Sequence, residues 1–414
     1  MFASCGAKPA ASSAATPAST SAPAKAESAE LVYWSMWNNT EPQAIVIQEA
    51  VKAYEAKSGN TVTIEWKGRD IKDIIQAALD AGTKIDLFDD DFMRVGQNYA
   101  ASCMDLEEFA KAADYDSYAV AALPTAARKW AGSLKEIPYQ PYTSGVFYNK
   151  AAFEKAGITA EPKTWTEFLD ACEKLKAAGF IPLAQDDAYA MYTLGFQLAR
   201  YIGQDGIVKV VNEGLWAEEP AVAKAVNDIV ALKTKGYLST SAPDAFPAGE
   251  NEIGLGNAAM VVNASWVPGE ITTNTECDLE WGMFNYPTVD GGKDPSTIAN
   301  VGAQAFAIPA KSENGQAAFD LITMITSGEF DQKMALDSNG IPADTRNGEW
   351  PKLIAGCKDS FNALTDVYDW NMGLNTDPDI QVVIKDSILK VFEGKMDAAA
   401  FVAELEKAGT PKAK

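Results

Sequence analysis

Between residues 31 and 91 the spacing of apolar side chains switches repeatedly between a period of two and a period of about 3.6, and no other feature limits the fold as much. Leu31–Met36 reads as a short apolar strand, and residues 43–57 as a helix with Val46, Ala50, Ala53 and Tyr54 on one stripe. Thr61–Trp66 alternates strictly, so Val62, Ile64 and Trp66 share one face of a strand. Ile71, Ile74, Ile75, Ala78 and Leu79 then recur at the spacing of an amphipathic helix. Ile85–Phe88 is a buried strand that runs into Asp89-Asp90-Asp91. Strand, helix, strand, helix, strand predicts a parallel sheet covered by helices on both faces.

A second unit begins near Gly145-Val146-Phe147-Tyr148. Thr164-Trp165-Thr166-Glu167 has the pattern of a capping box, ahead of a helix that buries Phe168, Cys172 and Leu175 and stops at Gly179. Val222, Val226, Ile229 and Val230 mark another helix, ended by Gly236. Ala258–Asn263 and Ala305–Ile308 read as buried strands. Phe319, Ile322 and Ile325 stripe one further helix, and Ile380, Val383, Ile384 and Ile388 another. No repeat of roughly 20–50 residues is present, which sets aside solenoids and propellers. The chain's 414 residues suit two or three domains, and the expected class is α/β with two lobes.

Charge and composition narrow the function. With 35 Lys+Arg against 57 Asp+Glu the net charge is −22, a surface that repels nucleic-acid phosphates and anionic lipid. There is no histidine, which excludes Ser-His-Asp and Cys-His catalysis and imidazole metal ligation. No phosphate loop occurs, because Gly254-Leu255-Gly256 lacks the following Gly-Lys-Ser/Thr. Cys103, Cys172, Cys277 and Cys357 match no zinc spacing, and no disulfide is expected among them. No cofactor or metal is expected.

Residues 7–29 are Ala, Ser, Pro or Thr except at Lys8, Lys25 and Glu27, a composition that predicts a mobile stalk. Ahead of it, Phe2-Ala3-Ser4-Cys5-Gly6 resembles the end of a bacterial lipoprotein signal, with Phe2 in place of the usual leucine. The expectation is a chain that starts just inside that signal, with Met1 a new start and Cys5 the lipidated residue. No later apolar run approaches the roughly 18 residues of a spanning helix. The expected location is the extracellular face of a bacterial membrane, held only through the lipid on Cys5.

Two groups of residues carry candidate chemistry. Asp89-Asp90-Asp91 ends a predicted parallel strand, where open α/β sheets bind ligands. It could bond a polar ligand, hold a hard cation, or cap the next helix. Aromatic residues also concentrate at loop and strand ends: Trp34, Trp37, Trp66, Tyr139, Tyr142, Tyr189, Tyr192, Trp266, Trp281 and Trp370. Several have polar company: Asn38, Asn39 and Glu41 after Trp37, Lys67, Arg69 and Asp70 after Trp66, Asn263 before Trp266, Asp369 and Asn371 beside Trp370. Flat faces beside amides and carboxylates suit a pyranose ring, whose C–H faces stack while its hydroxyls need fixed partners.

Five stretches carry a family resemblance. They are Ile137-Pro138-Tyr139 through Tyr148-Asn149-Lys150 with Phe153 and Gly157, Pro162-Lys163-Thr164-Trp165 to Phe168, Gly179 to Leu183, Asn257-Ala258-Ala259-Met260 to Trp266, and Val301-Gly302 to Ile308-Pro309. In their order and spacing they resemble the family 1 extracellular solute-binding proteins, sugar-binding lipoproteins of bacterial ABC importers. The likeness covers about residues 31–410, with Asn257, Ala258 and Ala264 departing from the family's glycine-lysine and second glycine.

That resemblance implies a two-lobed periplasmic-binding-protein-like fold, each lobe a mostly parallel sheet flanked by helices, with hinge crossovers between. The implied division is 1–30 for the anchor and stalk, 31–142 plus 300–328 for lobe 1, and 143–299 plus 329–414 for lobe 2. Trp266 is implied as a stacking platform and Tyr142 as a cleft residue. Trp37, Asn38, Glu41, Asp90 and Asp91 are implied as polar and stacking contacts from lobe 1. Trp370 is expected at the rim and Tyr192 among the platforms, while a surface ion pair explains Arg69 equally well. The implied function is non-catalytic capture of a xylo-, manno- or malto-type oligosaccharide by a monomer that docks on ABC transporter permease subunits. The rivals are a glycoside hydrolase with paired carboxylates and a binder of a polyamine or peptide.

Overall fold

The computed structural model describes residues 1–3, 6 and 28–410, so the expected anchor Cys5 and residues 7–27 of the stalk lie outside the described residues. The strands are β1 Glu30–Ser35, β2 Thr61–Trp66, β3 Leu87–Asp91, β4 Glu136–Asn149, β5 Ile181–Ala184, β6 Ala258–Ala264, β7 Trp281–Phe284, β8 Ile298–Ala307 and β9 Asp366–Tyr368. Their order is β2-β1-β3-β8-β4-β6-β5, with β7 also on β4 and β9 on β8. The parallel character expected of each lobe holds in the pairs β1–β2, β1–β3 and β5–β6, and also where β9 joins crossover strand β8. The crossover strands impose the opposite sense: β8 is antiparallel to β3 and β4, and β4 to β6 and β7. The sheet is therefore mixed.

One strand therefore serves both lobes. Residues 136–143 of β4 pair with β8, and Ser144–Asn149 pair with β6 and β7. Within the second half, Val146 and Tyr148 enter one core while Phe147 enters the other, as a period of two requires. The first core gathers Tyr33, Leu87, Phe88 and Phe306 with Val46, Ile47 and Ala50 of helix Pro42–Ser58. The second gathers Phe168, Phe196, Trp216, Tyr286 and Phe392.

Local signals shape the flanking helices. Thr164 accepts from the Glu167 amide at 3.3 Å while Glu167 accepts from the Thr164 amide at 3.2 Å, the reciprocal cap that the sequence predicts. Such a cap is worth about 1 kcal/mol. Helices Pro378–Phe392 and Ala398–Ala408 pack on Ala190–Glu213 and Pro220–Thr234. Helix Gly328–Ser338 instead packs on Pro42–Ser58 and β4. Cys103, Cys172, Cys277 and Cys357 are free thiols.

Candidate functional site

The alternation of β3 sorts its three aspartates. Register pairs Asp89 with Phe306 and Asp91 with Gln304, so these two share a face, and Asp90 points to the other. Asp89 is buried and accepts from Tyr33 Oη at 2.8 Å, Tyr139 Oη at 2.5 Å and the Met36 amide at 3.2 Å. Burial pushes its carboxyl up to about 6 even against these bonds. Asp90 is 1% exposed and pairs through Oδ1 with Arg94 at 2.6 Å, while its Oδ2 has no partner. Asp91 caps the short helix Phe92–Arg94 by accepting from the Arg94 amide at 3.0 Å. Its charge also raises the Tyr142 phenol, after burial, to about 12.

Trp37, Asn38, Glu41 and Arg69 come together in one turn. Arg69 donates to Glu41 at 2.8 Å and 3.2 Å and lies 4.5 Å above the Trp37 ring. The Asn38 amide donates to Glu41 at 2.6 Å. Trp37 is only 6% exposed and donates through Nε1 to Tyr139 Oη at 2.7 Å. With its ring covered by a guanidinium and its N–H spent on Tyr139, Trp37 supports the turn and offers no open platform. Tyr139 links this turn to Asp89 and stands three residues ahead of Tyr142 on β4.

The second group is a ladder of rings. Tyr142 meets Trp266 with centroids 5.1 Å apart, Trp266 meets Trp370 at 6.2 Å, and Trp370 meets Tyr192 at 4.7 Å. Trp266, Trp370 and Tyr142 are half-buried, whereas Tyr192 has no exposed surface. Tyr192 therefore backs the ladder: it donates to Asn300 Oδ1 at 2.9 Å and stacks under Trp370. Asn371 and Met372, at φ of 53° and 52°, hold the segment after Trp370 in a left-handed bend packed closely on Gly195.

Carboxyl groups that the sequence reading missed gather around Asn263, with Glu270 one turn past Trp266. Glu250 on helix Ala248–Gly254 is fully buried and accepts from Asn263 Nδ2 at 3.2 Å, while its Oε1 has no partner. Burial, then the charges of Asp186 and Glu270, push it up to about 8. Asp186 accepts from the Gly249 and Glu250 amides at 2.7 Å and 3.0 Å, and a Cβ on Gly249 would come within 2.5 Å of it. Glu270, one turn past Trp266, is raised by burial, and its Oε2 is unpartnered. The Tyr189 phenol is raised by burial and by Glu270 and Glu250, and sits against Trp266 and Asn263. The one signal for Glu270 was its i+4 spacing from Trp266; Glu250 carried only its place three residues before buried Ile253.

A cavity of about 560 Å³ opens here, lined by Trp266, Glu270 and Phe246 on one side and by Ser338 and Asn339 at the end of Gly328–Ser338 on the other. A larger groove of about 880 Å³ lies among helical side chains such as Tyr54, Phe109, Phe319 and Phe330, and contains none of the ring ladder. The smaller cavity is the candidate site, because apolar faces and convergent polar groups meet there. Among the described residues no cluster of His, Cys, Asp or Glu could hold a metal ion, and no helix is long and apolar enough to cross a membrane.

A family model described as bacterial extracellular solute-binding protein matches residues 49–349. The chain belongs to that family. A multiple sugar-binding protein of Streptococcus mutans is 28% identical over 221 residues, covering 50% of each chain. The match thus spans about half the length of that curated relative. Among solved structures, the bacterial solute receptor AcbH, described as preferring β-D-galactopyranose, superposes with a TM-score of 0.74 at 18% identity, over 92% of this chain and 96% of the other. A probable secreted solute-binding lipoprotein of Streptomyces coelicolor gives a TM-score of 0.71 at 15% identity, over 93% and 99%. These likenesses establish the two-lobed solute-binding fold for the chain, whose family is one of binders.

Proposed function

We propose that this solute-binding protein captures an oligosaccharide between its lobes and delivers it, unaltered, to an ABC importer. The observation that carries the reading is the Tyr142–Trp266–Trp370 ladder at the crossover, flanked by Asp91 and Glu270. Stacked rings hold sugar faces, and carboxylates accept hydroxyl hydrogens in bonds about twice as strong as neutral ones. The lobes comprise 31–142 with 300–338, and 143–299 with 339–410, and they close about β4 and β8 as rigid bodies. Trp266, Tyr142, Trp370, Asp91 and Glu270 touch the sugar; Trp37, Asp89, Tyr139 and Tyr192 hold those groups in place. Lipid on Cys5 would keep the monomer at the outer membrane face, where a permease can receive the loaded form.

Glu250 beside Glu270 favours a second reading, because one raised acid next to another carboxyl is what glycoside hydrolysis uses. One experiment separates the two. Calorimetry against xylo-, manno- and malto-oligosaccharides should give saturable binding, and chromatography of the same mixtures should return every oligosaccharide at its original length. Shortened products would overturn the transport reading, and absence of binding across the panel would overturn the sugar reading.

A further inference from the structure

Phe246 leaves 45% of its surface exposed and lines the cavity of about 560 Å³ together with Trp266. A lone exposed apolar side chain carries no meaning by itself, but this one is both fixed and joined to the ladder. The Phe246 amide donates to Asp187 Oδ1 at 3.1 Å, the Asp187 amide to the Asp244 carbonyl at 2.9 Å, and the Asp244 amide to the Gln185 carbonyl at 2.9 Å. Ser239 fastens the same loop by donating to Asp244 Oδ2 at 2.8 Å. The segment that carries Phe246 is thus sewn to the chain just after β5, which holds the ring at the cavity wall.

The ring meets Tyr189 edge to face, with centroids 5.9 Å apart and planes at 72°. Tyr189 meets Tyr192 in the same manner at 6.2 Å and 64°, and Tyr192 is the residue under Trp370. Trp370 and Phe246 therefore stand at the two ends of one row of supporting phenols. Trp266 pairs with the first and shares the cavity with the second. Asn274 and Asn339, both exposed, add amide groups to the same cavity wall. A flat face with amides nearby repeats the chemistry that suits a pyranose at Trp266. The cavity lies inside the range of roughly 300–1,000 Å³ for sites that hold drug-sized ligands, which leaves room beyond a ring stacked on Trp266.

We propose, resting on the carbohydrate reading above, that Phe246 is a further stacking platform, and that the ligand is an extended oligosaccharide running from the Trp370 end of the ladder past Trp266 onto Phe246. A short sugar ends before that ring, whereas a longer one lays its next C–H face on it. Phe246 thereby sets the chain length that the protein favours, with Tyr189 supporting the ring from behind.

The test is calorimetry with xylo-, manno- and malto-oligosaccharides of two to six units, on the unmodified protein and on Phe246→Ala, Phe246→Leu and Phe246→Tyr. In the series that binds, the unmodified protein's affinity should rise with length and then level off. Phe246→Ala should weaken the longest sugars by about three- to tenfold, the worth of one stacked ring, and leave the shortest sugar that binds unchanged. Phe246→Leu keeps apolar bulk without a flat face; it should show the same loss even if alanine lets the loop collapse. Phe246→Tyr should restore most of the affinity. Equal weakening at every length overturns the proposal, because a disturbed loop rather than a lost platform then explains it. A Phe246→Ala profile identical to that of the unmodified protein also overturns it, as does affinity already complete at the disaccharide. Both of those leave the carbohydrate reading standing. Absence of binding by every sugar in the panel sinks that reading, and this proposal with it.

Discussion

Tyr142 meets Trp266 edge to face, with ring centroids 5.1 Å apart and planes at 62°. One residue comes from the crossover strand and the other from the loop after β6, so this contact ties β4 to the start of helix Val267–Thr275. Trp266→Ala should weaken oligosaccharide affinity at least tenfold, about 1.4 kcal/mol, in calorimetry. The half-buried ring leaves the core intact, so circular dichroism should be unchanged. Unaltered affinity would show that the platform lies elsewhere.

Gly302 stands opposite Tyr142 in the β4–β8 register, and a Cβ there would lie 2.2 Å from the Tyr142 ring. No glycine-specific backbone angle is needed at this position; the requirement is space for the phenol to lie across β8. Gly302→Ala should displace that ring, lowering the melting temperature by a few degrees and sugar affinity severalfold. Tyr142→Phe keeps the ring and should leave both nearly as they are.

The two neighbouring aspartates should behave differently. Asp90→Asn removes the anion from Arg94 and should cost about 2 kcal/mol in urea unfolding, with sugar affinity unchanged. Asp91→Ala loses a helix cap, about 1 kcal/mol, and should also weaken sugar binding. Equal effects of both on affinity would contradict the alternation that separates them.

Stability should fall as pH rises from about 5 to 8. Asp89 and Asp186 are raised to about 6, Asp331 to about 7 and Glu250 to about 8, in each case chiefly by burial. A carboxyl with a raised folded value keeps its proton in the native state after the unfolded chain has lost it, near pH 4. The native state then binds more protons, and the linkage slope is negative across that window. Melting temperatures in a series of buffers should decline by several degrees toward pH 8, and Glu250→Gln should flatten the upper part of the decline. A flat profile would show these acids ionised in the fold. The lowered values of exposed Glu167 and Asp278 act only below about pH 4 and with the opposite sign.

How far the sequence could be read follows from which interactions are local. The capping box at Thr164, the strict alternation of Thr61–Trp66 and the stripe of Ile71–Leu79 depend on neighbours a few residues away, and each element formed where that spacing predicts. Trp266, Tyr142 and Trp370 were singled out by residue type, and the fold brings them into one ladder. Which side of β3 each aspartate occupies depended on pairing with β8, more than two hundred residues on, and no local pattern shows it. The same holds for Trp37, whose N–H is taken by Tyr139, 102 residues away. Glu250 escaped notice because a buried acid in a seven-residue helix looks, in sequence, like an exposed one.

Between Tyr139 and Tyr142 the pairing with β8 slips, three steps on one strand against two on the other, at Gln140 with φ of 45°. In an unbroken strand those two tyrosines would face opposite ways; the extra residue turns both to the side that Asp89, Asp91 and Gly302 occupy. Deleting Gln140 would leave two steps against two, so Tyr142 would still pair with Gly302, but the strand would lose the bend and added twist of the bulge. The bulge inside a single crossover is thus what lets one continuous ribbon steady the buried Asp89 through one tyrosine and lay a second, three residues on, along the same side.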